Sequence, residues 1–414
     1  MTISTYIPKL SAEQKFMLSV IIVNGGNYLY NLLLGRILGP QLFADAALLI
    51  TLLLVLSFVA MTFQLATAKF SVLFEQKVFK SFISFSYTYA TIIGSILGIV
   101  LILFAEKLQI IFNTQSSLMF TIFGFSIPIY FIMSVNRGIY QGTKKYGSLA
   151  TTYQTEMISR LLITLVLIYV LPFSSSISIV IGIFISFLLG LIPFKTSSFS
   201  LTRKHTLSKK HTKHVINFFV LTGFYELTQI IINNSDILLV KHYFDEYQAG
   251  LYASLALIGR VVYFVAWMFV MLLLPKVIQK QKDGEATAPI LFKYIAYISG
   301  LSMIIVSGCY LFPELVIQMM FGSDYLSIAP LLWKYAIATS LFAIANIFAY
   351  YFLSLDKYIP VIISGVLGAS QVALIILFHN SLKEVVIAQI VAMVILLIVQ
   401  ILYFFYHNKI KSTS

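Results

Sequence analysis

Two clusters of residues in this chain have the types and spacing to do chemistry. In NGGNYLYN (24–31), Asn24, Asn27 and Asn31 recur at i, i+3 and i+7, which on a helix is one face. In ELTQIIIN (226–233), Glu226, Gln229 and Asn233 repeat that spacing, each 202 residues after its counterpart. Carboxamides both donate and accept hydrogen bonds, so two such faces suit a hydroxyl-rich ligand. Arg260 adds a guanidinium, whose planar fork matches phosphate oxygens. Glu226 adds a carboxyl that could follow a proton or a sodium ion. The blander use of the same residues is structural: amides can join helices to one another, and Glu226 and Arg260 could neutralise each other. Gly25 and Gly26 would let a helix or a ligand approach the backbone closely.

Those side chains can act only if helices in a membrane hold them. Of the 414 residues, 59% are hydrophobic and 10% charged, with a mean hydropathy of +0.93. A soluble domain carries about 25% charged residues, so the chain reads as an integral membrane protein. Apolar runs of about 20 residues, enough to cross roughly 30 Å of hydrocarbon as a helix, fall at 16–38, 44–66, 82–104, 118–141, 150–171, 175–194, 215–240, 250–274, 291–312, 328–353, 359–379 and 384–406. The fold expected is an all-α polytopic membrane protein with twelve transmembrane helices. Strands of a β-barrel would alternate in polarity over about 10 residues, and LLITLLLVLSFVAMTF does not alternate. MTISTYIPKLSAEQK is too polar for a secretory signal peptide, so the first apolar run is expected to remain as a span. The single cysteine, Cys309, excludes a disulfide framework and a cysteine-based metal cluster.

The 28 Lys and Arg residues divide unevenly across these spans. With the N-terminus in the cytoplasm, Lys69, Lys77, Lys80, Lys144, Lys145, Lys276, Lys280, Lys282 and Lys293 all fall on the inner side, whereas the outer ends carry only Arg36, Lys107, Lys241, Lys334 and Lys383. That asymmetry places both termini in the cytoplasm. The run KTSSFSLTRKHTLSKKHTK (195–213) reads as a basic cytoplasmic linker beside anionic lipid headgroups. The net charge of +13 therefore needs no nucleic acid. His205, His211 and His214 belong to this linker and read as part of a solvated tether, without carboxylates to complete a metal site. The linker, 195–214, separates an N-terminal six-helix lobe, 1–194, from a C-terminal one, 215–414.

The two halves echo each other elsewhere too. RGIYQGTKKYGSLA (137–150) and AYYFLSLDKYIPVI (349–362) each join the fourth to the fifth span of a half, with a Lys and then a Tyr at an offset of about 212. An even number of spans per half makes the repeats parallel, related by a pseudo-two-fold axis along the membrane normal. On this reading the two amide faces are opposing walls of one wet cleft.

LLLGRILGPQLFADAALL after the first span, RGIYQGTKKYGSLATTYQTEMISRLL across the fourth and fifth, and NNSDILLVKHYFDEYQAGLYASLALIGRVVYF across the seventh and eighth resemble the Wzx-type polysaccharide-unit flippases. These belong to the multidrug/oligosaccharidyl-lipid/polysaccharide (MOP) exporter superfamily, whose architecture is MATE-like. The resemblance implies two six-helix lobes in a V, with spans one, two, seven and eight lining a central cavity. It also implies a cargo, an oligosaccharide on undecaprenyl pyrophosphate, turned from the inner to the outer leaflet of a bacterial cytoplasmic membrane by alternating access. Polysaccharide-assembly proteins are the implied partners.

Other charged and special residues take structural readings. Glu156 and Arg160 stand four apart on the fifth span, in the favourable order for a helical ion pair. Arg137 and Gln141 end the fourth span, where an arginine can snorkel to water, and read as a gate or hinge. Asp236 is expected to cap its helix or pair with Lys241. Pro128, Pro193, Pro275 and Pro360 are expected to kink or end helices, and GSILG (94–98) matches a small-xxx-small packing motif that could serve dimerisation.

No Walker GxxxxGK[ST] sequence is present. The expectation is a transporter that is not an enzyme and needs no cofactor, coupled to a proton or sodium gradient. A drug or cation antiporter of the same superfamily is the alternative; it would favour an acidic cavity with aromatic walls, unlike Arg260 and the amides. A membrane polysaccharide polymerase or ligase is a more distant reading, since the longest external connection, 313–327, is short for acceptor chemistry.

Overall fold

The computed structural model describes residues 11–194, 207–263, 273, 276–277, 279–281, 283–355, 357 and 359–413. Lys195, Arg203, Lys204, His205, Pro275 and Lys282, and with them most of the basic linker and part of the eighth span, lie outside the described residues. The described residues form helices α1 (Ala12–Leu73), α2 (Gln76–Leu103), α3 (Ala105–Phe112), α4 (Leu118–Gly142), α5 (Tyr146–Val170), α6 (Ser175–Gly190), α7 (Lys209–Tyr243) and α8 (Glu246–Gly259). After these come α9 (Ala288–Leu311), α10 (Pro313–Met320), a 3-10 helix (Ser323–Leu331), α11 (Leu332–Ser354), α12 (Ile359–Leu377) and α13 (Leu382–Thr413). Among the described residues there is no strand. The chain is an all-α polytopic membrane protein.

Nine of the described helical segments are long and apolar enough to cross a membrane. Three features separate that number from the twelve apolar runs. The first two runs form one 62-residue helix, α1, broken where Gly39 adopts φ 72° ahead of Pro40. Glycine reaches that left-handed region without a Cβ clash, and the proline then removes a helical N–H. α6 has 16 residues, fewer than the ~20 needed to span unaided. The eighth run is helical to Gly259 and continues into residues that are not described.

Two short helices extend the internal repeat. α3 follows α2 and α10 follows α9, each eight residues long and 208 residues apart. The two helices α2 and α9 are the third spans of their halves, so the same motif recurs at the same place. Such segments are too short to span and carry an apolar face, the pattern of a helix lying along an interface.

The chain divides into two compact units: residues 1–31 with 56–224, and residues 32–55 with 225–414. The boundary cuts α1 and α7 within their helical runs, so the tip of the α1 hairpin belongs with the C-terminal helices and the start of α7 with the N-terminal ones.

The first unit is built on close helix contact and aromatic packing. Gly98 lies against the Gly124 carbonyl and Gly94 against Pro128, which brings α2 onto α4 at backbone distance. The GSILG glycines therefore serve packing within the unit rather than a dimer face. Phe63, Phe70, Phe82, Phe123 and Phe131 are fully buried. The start of α7 joins this core: Phe219 packs edge-on to Phe63 at 4.9 Å, and Val215 is buried with Ala66, Phe70 and Phe82. His211 lies against Phe74 and His214 against Phe70, at 5.0 and 5.3 Å. Both histidines thus sit on a helix that begins at Lys209, His211 half-buried and His214 exposed, rather than on an irregular tether.

In the second unit, the α1 tip docks on α7, α8, α10 and the 3-10 helix. Gly250 abuts the Pro40 carbonyl, so no Cβ fits there. Tyr325 Oη donates to the Gly35 carbonyl at 2.7 Å, Arg36 Nη1 donates to the Met319 carbonyl at 3.0 Å, and Phe43 packs on Phe321. Lys241 Nζ pairs with Asp45 Oδ1 at 3.0 Å.

Candidate functional site

Each unit encloses a polar cluster built around arginine. In the first unit it forms between α1, α4 and α5. Arg137 Nη2 meets Glu156 Oε2 at 2.6 Å and the Thr152 carbonyl at 2.9 Å, and its Nε donates to Thr152 Oγ1 at 3.2 Å. Its guanidinium also lies 4.0 Å from the centroid of the Tyr153 ring. Glu156 Oε1 accepts a second ion pair from Arg160 Nη1 at 3.4 Å. Arg160 Nη2 in turn donates to Asn27 Oδ1, and the Arg160 guanidinium stands 5.5 Å from the Tyr30 ring.

The Glu156–Arg160 ion pair has the helical spacing its sequence positions suggest. Arg137 differs from expectation: it is buried at 4% exposure rather than snorkelling to water. The reason is local. Residues 143–145 make a tight α4–α5 connection, so Arg137, five residues before the end of α4, stands level with Thr152 and Glu156 on α5 and finds its acceptors inside the unit. Gln141 accepts from Gln64 Nε2 at 2.9 Å, and Gln64 also reaches Tyr153 Oη at 2.8 Å.

The three asparagines of α1 take three different environments. Asn24 is exposed and Asn27 half-buried against Arg160. Asn31 Nδ2 donates to the carbonyl of Asn27, one turn back on its own helix, at 2.9 Å. Gly26 faces Met157 on α5, and Gly25 has open space around it. In the second unit Asn233 Nδ2 donates to the Gln229 carbonyl at 2.8 Å, the same bond 202 residues on. Gln229 is buried, with its Oε1 lacking a partner among the described residues.

The second cluster lies between α7, α8, α11 and α13. Arg260 Nη2 pairs with Asp236 Oδ1 at 3.1 Å, and Nη1 reaches Asn234 Oδ1 at 3.4 Å. Asp236 Oδ2 accepts from Tyr335 Oη at 2.8 Å and lies 3.1 Å from Tyr252 Oη. Tyr252 Oη also stands 3.1 Å from Gln389 Oε1. Arg260 lines a small recess of about 20 Å³ with Asn233, Tyr335, Thr339, Gln371 and Gln389.

Two expected pairings are corrected here. Arg260 pairs with Asp236, not Glu226, and Lys241 pairs with Asp45, not Asp236. Helical side chains lean toward the N-terminus of their own helix. At the end of α8 that direction is back toward the α7–α8 turn, the direction in which Asp236 lies along α7 from the level of Arg260; on α7 it carries Glu226 away from the turn. Glu226 is half-buried and forms no ion pair among the described residues. Asp236 stands out in the sequence as a helix cap or a partner for Lys241, whereas Tyr252, Tyr335, Gln371 and Gln389 do not stand out there. A polar residue recurring in otherwise apolar spans was the available signal.

Comparisons with known proteins decide the family. Residues 33–330 match the family described as Polysaccharide biosynthesis protein. The chain belongs to that family. Among curated proteins none matches it. Among solved structures, the polysaccharide biosynthesis protein described here is similar to a lipid II flippase MurJ in an inward closed conformation, with a TM-score of 0.73 and 16% identity over 95% of this chain and 87% of the other. It is equally similar to an inward-facing MATE family multidrug transporter of the MOP superfamily, with a TM-score of 0.73 and 12% identity over 93% and 95% of the two chains. A MOP superfamily transporter from Pyrococcus furiosus follows, with a TM-score of 0.56 and 12% identity over 94% and 92%. At such identities the likeness establishes the fold, which this chain shares with both a lipid II flippase and a multidrug transporter.

Proposed function

We propose that this polysaccharide biosynthesis protein moves a lipid-linked oligosaccharide, an undecaprenyl-pyrophosphate repeat unit, from the inner to the outer leaflet of a bacterial cytoplasmic membrane by alternating access. The observation that carries the reading is the Arg260 recess, with Asn233, Thr339, Gln371 and Gln389 beside the guanidinium. A guanidinium partly satisfied by Asp236 and Asn234 keeps donors for pyrophosphate oxygens, and the amides and hydroxyls match a sugar. The Asp236 carboxylate is engaged by Arg260 and two tyrosines, which disfavours the acidic cavity a cationic drug would want. A drug or cation antiporter, supported by the likeness to the MATE transporter, is the second reading. In this proposal Glu226 couples transport to a proton or sodium gradient, the basic linker holds anionic lipid, both termini are cytoplasmic, and polysaccharide-assembly proteins are partners.

The test is translocation of a lipid-linked oligosaccharide in proteoliposomes. Because Arg260→Ala alone would strand the Asp236 carboxylate, the variant is Arg260→Ala with Asp236→Asn, with Arg260→Lys beside it. The reading expects the double variant to lose translocation while remaining folded, and the lysine variant to be slowed. Full translocation by the double variant, or transport of cationic drugs instead of the glycolipid, would reject it.

A further inference from the structure

The cluster in the first unit does not balance its charge. Two guanidiniums, Arg137 and Arg160, face one carboxylate, Glu156, and all three residues are more than nine-tenths buried. The remaining acceptors are neutral: the Thr152 carbonyl and hydroxyl, Asn27 Oδ1, and the faces of the Tyr30 and Tyr153 rings. Neutral acceptors satisfy hydrogen bonds but leave the net charge in place, and an uncompensated buried charge is costly. Of the other described carboxylates in this unit, Glu75 and Glu106 are exposed, on the α1–α2 turn and on α3.

A second observation points the same way. Arg160 Nη1 and Nη2 are engaged by Glu156 and Asn27, but its Nε is enclosed and has no partner among the described residues. An arginine N–H out of water without an acceptor forgoes a charge-assisted hydrogen bond. Asn27, which bonds the same guanidinium, is half-buried, and Asn24, one turn earlier on the same α1 face, is exposed. Tyr28, next to Asn27, has a further enclosed hydroxyl without a partner among the described residues.

We propose that the Arg137–Glu156–Arg160 cluster is an anion-binding site, taking one small monovalent anion on Arg160 Nε. The anion supplies the missing charge and the missing acceptor together. A free halide and a carboxylate carried by an acidic sugar share this chemistry. The site stands apart from the Arg260 reading and does not depend on it.

The experiment follows the unfolding midpoint of the purified full chain in detergent. Sodium chloride, sodium acetate or sodium glucuronate is titrated into sodium HEPES buffer at constant ionic strength. Wild type is expected to show a saturable rise. Arg160→Gln removes the surplus charge and the Nε donor, so its midpoint without added anion matches or exceeds wild type and it no longer responds. Glu156→Gln raises the surplus, so half-saturation moves to lower anion concentration, by about tenfold for one charge-assisted contact. Arg160→Lys keeps the charge and loses the Nε geometry, giving a weaker response. Saturation by chloride identifies a free-anion site, and response to glucuronate and acetate without chloride identifies a cargo carboxylate. No response in wild type to any of the three anions, or an Arg160→Gln variant that still responds, overturns the proposal.

Discussion

Lys241 Nζ lies 3.0 Å from Asp45 Oδ1, with both side chains only 2% exposed. The pair ties the tip of the α1 hairpin to the end of α7 inside the second unit. Coulomb attraction between buried charges is offset by their desolvation, so the intact pair adds little net stability, but losing one partner leaves a bare buried charge. Asp45→Asn is therefore expected to destabilise the chain by about 3–5 kcal/mol. Replacing both residues, with Asp45→Leu and Lys241→Met, should recover most of that loss. Thermal unfolding of the three variants checks it, and an additive double variant would contradict the pairing.

The close approach of Gly250 to the Pro40 carbonyl makes a second prediction. A methyl group there meets backbone that cannot swing aside, so Gly250→Ala is expected to cost about 1–3 kcal/mol by overpacking. Gly25→Ala has open space around it on the same hairpin and should gain about 0.5–1 kcal/mol from helix propensity. Opposite shifts of the unfolding midpoint in the two variants are the expected result.

Asp236 supplies a third. Its Oδ2 accepts from Tyr335 at 2.8 Å, and both residues are buried. Tyr335→Phe removes a hydrogen bond to a charged acceptor, with an expected loss of about 1.5–3 kcal/mol. The Arg260→Ala, Asp236→Asn background has no charge left to satisfy, and there the same substitution should cost much less. A double-mutant cycle on unfolding midpoints reads this coupling.

These contacts also show where sequence reading runs out. The amide faces on α1 and α7 were legible because a membrane helix makes any polar residue conspicuous and 202-residue spacing repeats it. The Glu156–Arg160 pair was legible because four residues define one helical turn. Arg260 with Asp236 and Lys241 with Asp45 were not, because a pairing between helices depends on rotation about each axis and on side-chain lean, neither of which hydropathy encodes. The α1 break at Gly39 and Pro40 left the apolar pattern intact on both sides, so nothing in composition marked which unit the hairpin tip would join. α3 and α10, at eight residues, fall below the length at which an apolar run signals a helix.

The asparagines of α1 separate packing from lining by experiment. Asn27 accepts from Arg160 on another helix, whereas Asn31 donates to its own helix one turn back. Removing Asn27 takes an acceptor from a buried guanidinium, so Asn27→Leu is expected to lower stability by about 1–3 kcal/mol. Asn31→Leu gives up a local bond of the kind that stabilises helices weakly and should leave the unfolding midpoint within about 0.5 kcal/mol. If the amide face meets cargo, Asn31→Leu and its counterpart Asn233→Leu should both slow translocation in proteoliposomes at unchanged stability. Equal stability losses at Asn27 and Asn31, with transport following stability, would instead make the whole face a packing surface.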